Sequence, residues 1–191
     1  MSLHKWIVFT SLGWIAGIPL LILIAGALEP IGLGNTSIAL GMSAAIAFFQ
    51  WLVLRRFLTQ ASRWIWISAS AFIIPFLIAD LLGDKLFSTP ETAIVSCTIV
   101  SSVLLAIGQF RFILKGEGVQ WPSWVTVNLV SYALALVPPF VLTVGRIREL
   151  NLPEALSVGL SFLTVLAGGP IIGWLTGIIL CRYIRKAEPS Q

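Results

Sequence analysis

Six long apolar segments, separated by short polar stretches, make up most of the sequence. They cover residues 6–28, 37–54, 64–82, 93–114, 124–145 and 158–184. Each comes close to or exceeds the ~20 residues that an α-helix needs to cross a bilayer. Their apolar residues run on without the alternation of barrel strands, and lipid offers no water to unpaired backbone groups. The pattern therefore predicts six transmembrane α-helices.

The composition supports a membrane protein. Apolar residues make up 58% of the chain and charged residues only 10%, whereas soluble domains average about 25% charged residues. Little sequence remains for a soluble domain. We therefore expect a single membrane domain, residues 1–191, of the all-α class.

The first apolar segment also fits a second interpretation. Lys5 precedes it and Ala25, Gly26 and Ala27 lie near its end, as in a secretory signal peptide. The segment is long for the apolar region of such a peptide, and it belongs to the repeat described below. We therefore interpret it as a transmembrane helix.

The basic residues predict the orientation in the membrane. With the N-terminus inside, nine of the twelve lysines and arginines fall on the inner side, as the positive-inside rule requires. These nine are Lys5, Arg55, Arg56, Arg63, Arg111, Lys115, Arg182, Arg185 and Lys186, and the outer three are Lys85, Arg146 and Arg148. Both termini are therefore predicted to be cytoplasmic. The basic residues are spread over several short segments, so no nucleic-acid partner is predicted.

The odd-numbered segments share a repeated pattern. Each begins with a tryptophan, and the residues four, seven and eight positions later are polar, small and aromatic. The columns are Trp6, Trp64 and Trp124; Thr10, Ser68 and Asn128; Gly13, Ala71 and Ser131; and Trp14, Phe72 and Tyr132.

The even-numbered segments align on Gln50, Gln109 and Thr176. The aligned residues seven before, three before and six after are small, small and basic: Ser43, Ser102 and Gly169; Ala47, Ala106 and Gly173; Arg56, Lys115 and Arg182. The chain is therefore predicted to contain three helical hairpins of like orientation, residues 5–56, 63–115 and 121–186. Parallel repeats of this kind predict a pseudo-threefold bundle about the membrane normal, by analogy with repeat-built transporters.

Helical geometry places the aligned polar residues on the same face as the small residues, at steps of three and seven. Small faces are where membrane helices approach each other, so Ser43, Ala47, Ser102, Ala106, Gly169, Gly173 and Gly177 are predicted helix-packing positions. Gln50, Gln109 and Thr176 form a candidate polar ring, either as interhelical hydrogen-bonding groups or as a binding site. Arg56, Arg111, Lys115 and Arg182 lie nearer the inner surface, as candidate contacts for lipid headgroups or a partner.

Asp80 and Asp84 are candidate outer carboxylates. They lie one helical turn apart near the outer end of the third segment. Carboxylates inside membranes often belong to ion or proton pathways. The positions that match Asp80 in the other repeats are Ile22 and Phe140, so this carboxylate departs from the pattern. Two interpretations stay open: transport or binding, and a carboxylate solvated at the outer interface.

Most of the eight tryptophans lie near predicted helix ends, which is typical of the aromatic belt. Trp14 and Trp174 lie deeper. With Phe72 and Tyr132 they fit either core packing or an apolar groove for a lipid, quinone, carotenoid or chlorophyll tail. No cofactor is identified from sequence motifs.

The sequence holds no catalytic or metal-binding constellation. His4 is the only histidine, which excludes a bis-histidine haem within the chain, a histidine-rich metal site and a serine protease with a histidine base. Cys97 and Cys181 are predicted at different depths, so no disulfide is expected. We therefore expect neither an enzyme nor a metal protein.

The segment "QWLVLRR", after its small residues, resembles a group of bacterial multi-pass membrane proteins, several from phototrophic bacteria, to which no activity is assigned. The second copy, "GQFRFILK", and the third, "GWLTGIILCR", lack the tryptophan, and the third also lacks the glutamine. We predict a non-enzymatic accessory or scaffolding subunit of a larger membrane complex, in contact with lipids and with other integral membrane subunits or copies of itself. The resemblance implies a bacterial inner membrane or a thylakoid-like internal membrane, with a photosynthetic membrane as one setting. The alternative is a small transporter or a protein that binds lipid, quinone or pigment through its intramembrane polar residues.

Overall fold

The apolar segments fold into six α-helices. A computed structural model describes the backbone of residues 1–115, 119–141 and 154–184, without the side chains at 84, 90–91, 136–141, 154–155, 157–162 and 164. The helices are α1 (Leu3–Leu28), α2 (Gly34–Leu54), α3 (Ser62–Leu86), α4 (Pro90–Gln109), α5 (Trp121–Val141) and α6 (Glu154–Ile184).

The prediction of an all-helical protein is confirmed. Over the described residues, α1 to α4 and α6 are each long and apolar enough to cross a membrane. Most helices begin a few residues before the predicted apolar runs, because polar residues at helix ends continue the backbone hydrogen bonding without adding hydropathy.

The helices meet in chain order. Each one packs against the next, and α6 also packs against α1, so that the six helices form a closed ring. Glycines allow the closest approaches, because helices without a Cβ at the contact come nearer together. A Cβ on Gly13 of α1 would lie only 2.8 Å from the Cα of Ile46 in α2.

Two local signals fix the connections at one end of the bundle. A 3-10 turn (Glu29–Ile31) follows α1, and Gly32 then takes a left-handed conformation (φ 81°) that leads into α2. Thr89 caps α4: its side chain accepts a hydrogen bond from the Thr92 backbone N–H, and the Thr92 hydroxyl accepts one from the Thr89 N–H. Such a reciprocal cap satisfies two N–H groups that a helix start leaves unpaired.

The interior of the bundle has three layers. Trp6, Trp64 and Trp124 belong to an apolar cluster near one end, which we call the tryptophan end. Trp14, Phe72 and Tyr132 belong to a second apolar cluster farther along the helices. Between the two clusters lies a buried layer of polar side chains, which we call the polar layer: Thr10, Gln50, Ser68, Gln109, Asn128 and Thr176.

Candidate functional site

Of the three repeated tryptophans, Trp64 contacts both of the others. Trp6, Trp64 and Trp124 are at most 1% exposed. The ring centroids of Trp6 and Trp64 are 6.1 Å apart, and those of Trp64 and Trp124 are also 6.1 Å apart. These separations lie within the range of attractive aromatic pairs. The tryptophans therefore fill the bundle interior between α1, α3 and α5.

The polar layer hydrogen-bonds to these tryptophans and to neighbouring helices. Trp64 Nε1 donates to Gln50 Oε1 at 3.0 Å, and Gln50 Nε2 donates to Thr10 Oγ1 at 3.4 Å. Gln50 thus links α1, α2 and α3. Trp6 Nε1 donates to Thr176 Oγ1 at 3.0 Å, which joins α1 to α6.

The second repeat makes only part of this pattern. Gln109 Nε2 donates to Ser68 Oγ at 3.0 Å, as Gln50 does to Thr10. The Gln109 Oε1 and Trp124 Nε1 atoms, which correspond to the bonded Gln50 and Trp64 atoms, are both buried without a hydrogen-bond partner among the described residues. In the third repeat, Thr176 Oγ1 also donates to the Ile172 carbonyl at 2.6 Å. Thus the three repeats have related but unequal hydrogen bonds.

The small residues predicted for helix packing lie where two helices approach each other closely. A Cβ on Gly169 would come within 2.9 Å of the Ser11 Cα, and one on Gly173 within 3.0 Å of the Ile7 Cα. Gly177 lies against the Trp6 ring. The glycine stripe therefore joins α6 to α1 inside the bundle. The corresponding residues of α2 and α4 are also buried: Ser43, Ala47, Ser102 and Ala106.

Asp80 is a cap on a neighbouring helix. Its Oδ1 accepts hydrogen bonds from the Asn35 backbone N–H (3.1 Å) and side-chain Nδ2 (2.8 Å). Its Oδ2 accepts from the Thr36 backbone N–H (2.7 Å) and hydroxyl (2.6 Å). A carboxylate at a helix N-terminus satisfies unpaired N–H groups and favours the helix dipole. Asp80 therefore fixes the start of α2 to α3. The side chain of Asp84 lies outside the described residues, and a transport role for the pair stays a prediction.

The second apolar cluster encloses a small cavity of about 60 Å³. Trp14, Phe72 and Tyr132 line it together with aliphatic side chains and Ser43. Its volume is well below the ~300 Å³ of ordinary ligand pockets. Trp174 was grouped with these aromatic residues by depth, but it is 55% exposed on the outside of α6. A lipid, quinone, carotenoid or chlorophyll ligand stays a prediction.

The predicted surface cations lie at the tryptophan end. Arg56, Arg111, Lys115 and Arg182 are all exposed. Arg111 lies in a π-helical turn (Phe110–Leu114) that continues α4, where the Lys115 N–H bonds to the Phe110 carbonyl. Such turns insert a residue into the helical pattern and often occur at functional sites. Arg146, Arg148, Arg185 and Lys186 lie outside the described residues.

Two clefts open at this end. One, of about 470 Å³, lies between the start of α1 and the end of α2 and is lined by Lys5, Arg55 and Arg56. The other, of about 270 Å³, contains Arg111 and Lys115. Sequence reasoning singled out Arg56 but not its association with Lys5 and Arg55. The sequence signal that could have grouped Lys5 and Arg55 with Arg56 is their shared predicted depth near the inner surface.

Sequence reasoning also missed the partners of the buried polar groups. The bonds from Trp64 to Gln50 and from Trp6 to Thr176 join different hairpins, so spacing within one hairpin does not reveal them. The cap that Asp80 provides was equally hidden, since its partners lie 44 and 45 positions away.

Comparisons of the chain with family models, curated proteins and solved structures found no match.

Proposed function

We propose that this chain is a non-enzymatic integral membrane protein that serves as an accessory or scaffolding subunit of a larger membrane complex. On this view its outer surface, not its interior, carries the function. The polar layer supports this view because Gln50, Gln109 and Thr176 hydrogen-bond to neighbouring helices. Such bonds hold membrane helices together.

The observation that carries the proposal is the position of Trp174. It is 55% exposed and lies eight residues before Arg182 on α6, which is about 12 Å along a helix axis. Half of a hydrocarbon core is about 15 Å thick. With Arg182 at the membrane surface, the indole ring would therefore face the lipid near the membrane centre. Tryptophan favours the headgroup region in lipid and the centre of protein interfaces. Contact with a helix of another subunit would account for both the depth and the exposure.

The other two repeats supply matched positions. Phe48 and Ile107, like Trp174, stand two residues before the aligned polar residue, and they are 45% and 38% exposed. These two side chains are ordinary lipid-facing residues. The indole is thus a feature of the third repeat alone.

The proposed arrangement is three hairpins related by a pseudo-threefold axis, with both termini cytoplasmic, in a bacterial inner or thylakoid-like membrane. Support for the axis comes from the burial of Trp6, Trp64 and Trp124 in one apolar cluster. The equivalent bonds from Gln50 to Thr10 and from Gln109 to Ser68 support it further.

Photo-crosslinking tests the proposal. A photoreactive amino acid at position 174 in native membranes is expected to give a discrete protein adduct, whereas the same amino acid at position 107 is expected to give lipid adducts. The Trp174→Ala variant should stay folded, because the side chain is exposed, but should leave its complex in mild detergent; Ile107→Ala should not. Equal protein adducts at both positions, or a native chain that purifies only as a monomer, would contradict the proposal.

A further inference from the structure

We propose that the larger cleft at the tryptophan end, between the start of α1 and the end of α2, is a binding site for one anionic phospholipid. The site does not depend on the proposed scaffolding role, since Trp174 lies on a different helix. From the sequence, either a lipid or a protein partner could occupy this basic region. The proposal assigns it to a lipid.

The charge of the cleft favours an anion. Lys5, Arg55 and Arg56 line it, and no carboxylate is among its lining residues. The Arg55 side chain also packs against α2, since its guanidinium carbon lies 5.2 Å from the centre of the Trp51 ring. The contact is within the range of a cation–π interaction. Three cations from two helices therefore share one concave surface.

The turn after α2 fixes the two arginines relative to the helix. The Phe57 and Leu58 N–H groups both donate to the Leu54 carbonyl, at 2.8 and 2.9 Å. This compact turn ends α2 and brings consecutive cations to the wall of the cleft instead of leaving them on an extended loop. Arginine suits the site because its planar guanidinium donates to phosphate oxygens in pairs.

The rest of the lining suits acyl chains. Phe9 and Leu52 also line the cleft. Phe9 follows Lys5 by one helical turn, about 6 Å along α1, and Leu52 precedes Arg55 on α2. The cleft thus has a basic end at the end of the bundle and an apolar side that continues along the helices. A phospholipid has the same order of parts, with its phosphate at the surface and its chains toward the membrane core. A soluble phosphate would use only the basic end.

Arg63 and Lys85 provide a charge-matched control, because both are exposed and neither lines either of the two clefts. Replacing both removes the same positive charge from the protein as replacing Arg55 and Arg56. A site built in the larger cleft should respond only to the loss of Arg55 and Arg56.

Native mass spectrometry of the full chain in detergent, titrated with phosphatidylglycerol or phosphatidylcholine, tests the site. The wild type should retain one phosphatidylglycerol at concentrations where phosphatidylcholine is not retained. The double variant Arg55→Gln/Arg56→Gln should bind it about 30-fold more weakly, given the usual contribution of two cations near a membrane surface. The Arg63→Gln/Lys85→Gln control should bind within about twofold of the wild type.

Three results would overturn the proposal. Equal weakening in both double variants would indicate general charge attraction. Equal retention of the two lipids would show that the anionic headgroup is not recognised. Displacement of the lipid by inorganic phosphate at similar concentration would assign the site to a soluble anion. Circular dichroism checks that both variants are folded. None of the three results bears on the crosslinks at position 174.

Discussion

The bond between Trp64 and Gln50 gives the sharpest test of the polar layer, because the second repeat offers the same residue pair without that bond. Trp64 Nε1 lies 3.0 Å from Gln50 Oε1, whereas Trp124 Nε1 and Gln109 Oε1 have no partner among the described residues. The perturbation is a pair of double-mutant cycles. One combines Gln50→Leu with Trp64→Phe, and the other combines Gln109→Leu with Trp124→Phe.

The expected coupling energies differ between the two cycles. An interhelical hydrogen bond in a membrane protein contributes about 0.6 kcal/mol on average and about 1.7 kcal/mol at most. Both partners here are buried, Trp64 at 1% and Gln50 at 5% exposure. Removing one partner alone therefore leaves a buried polar group unpaired, which adds about 1–3 kcal/mol to the cost of the single change. We expect a coupling of about 1–2 kcal/mol for Gln50 with Trp64 and near zero for Gln109 with Trp124.

The cycles separate the contribution of the hydrogen bond from the contribution of side-chain packing. Trp64 contacts both of the other tryptophans, so its replacement by phenylalanine also loses ring contacts. That loss occurs in the single and the double variant alike and cancels in the coupling energy. The assay is reversible unfolding of the purified protein in mixed detergent micelles, with the free energy of unfolding as the readout. Equal coupling in both cycles, or none between Gln50 and Trp64, would refute the reasoning.

Further expectations follow from single contacts and from the predicted orientation in the membrane. Asp80→Ala removes the acceptor of four hydrogen bonds at the start of α2, so the free energy of unfolding should fall by about 2–4 kcal/mol; an unchanged value would mean that the cap is dispensable. Gly169→Ala should destabilise by about 1–3 kcal/mol, because its Cβ meets the backbone of α1. Gly26→Ala, with nothing within 4 Å of its Cβ, should instead stabilise by up to about 1 kcal/mol; the same sign for both would contradict the packing. In a protein whose native cysteines are replaced, an impermeant thiol reagent should reach Arg56→Cys from the inner side of the membrane and Lys85→Cys from the outer side. Labelling of both positions from the same side would overturn the predicted topology.

The sequence alone was sufficient to predict the helices. Runs of apolar residues fix where a chain can stay in lipid, and the backbone in lipid must bond to itself, so the six segments and their lengths follow from composition and order. The repeated columns also identified the residues that became buried, among them Trp6, Trp64 and Trp124. Periodicity predicts which residues share a face, because helical geometry is the same in every helix.

Only the tertiary structure decided which buried groups meet. Gln50 bonds to Trp64 of the next hairpin, while Gln109, the aligned residue of the second repeat, has an unpaired oxygen among the described residues. Whether such a bond forms depends on the relative positions of the helices, which a local sequence pattern does not determine. For the same reason the sequence did not reveal that Asp80 caps α2, and its transport role stays a prediction. Trp14 and Trp174 lie at similar predicted depths, yet one lines the interior and the other faces outward, because rotation of each helix about its axis is set by its packing partners.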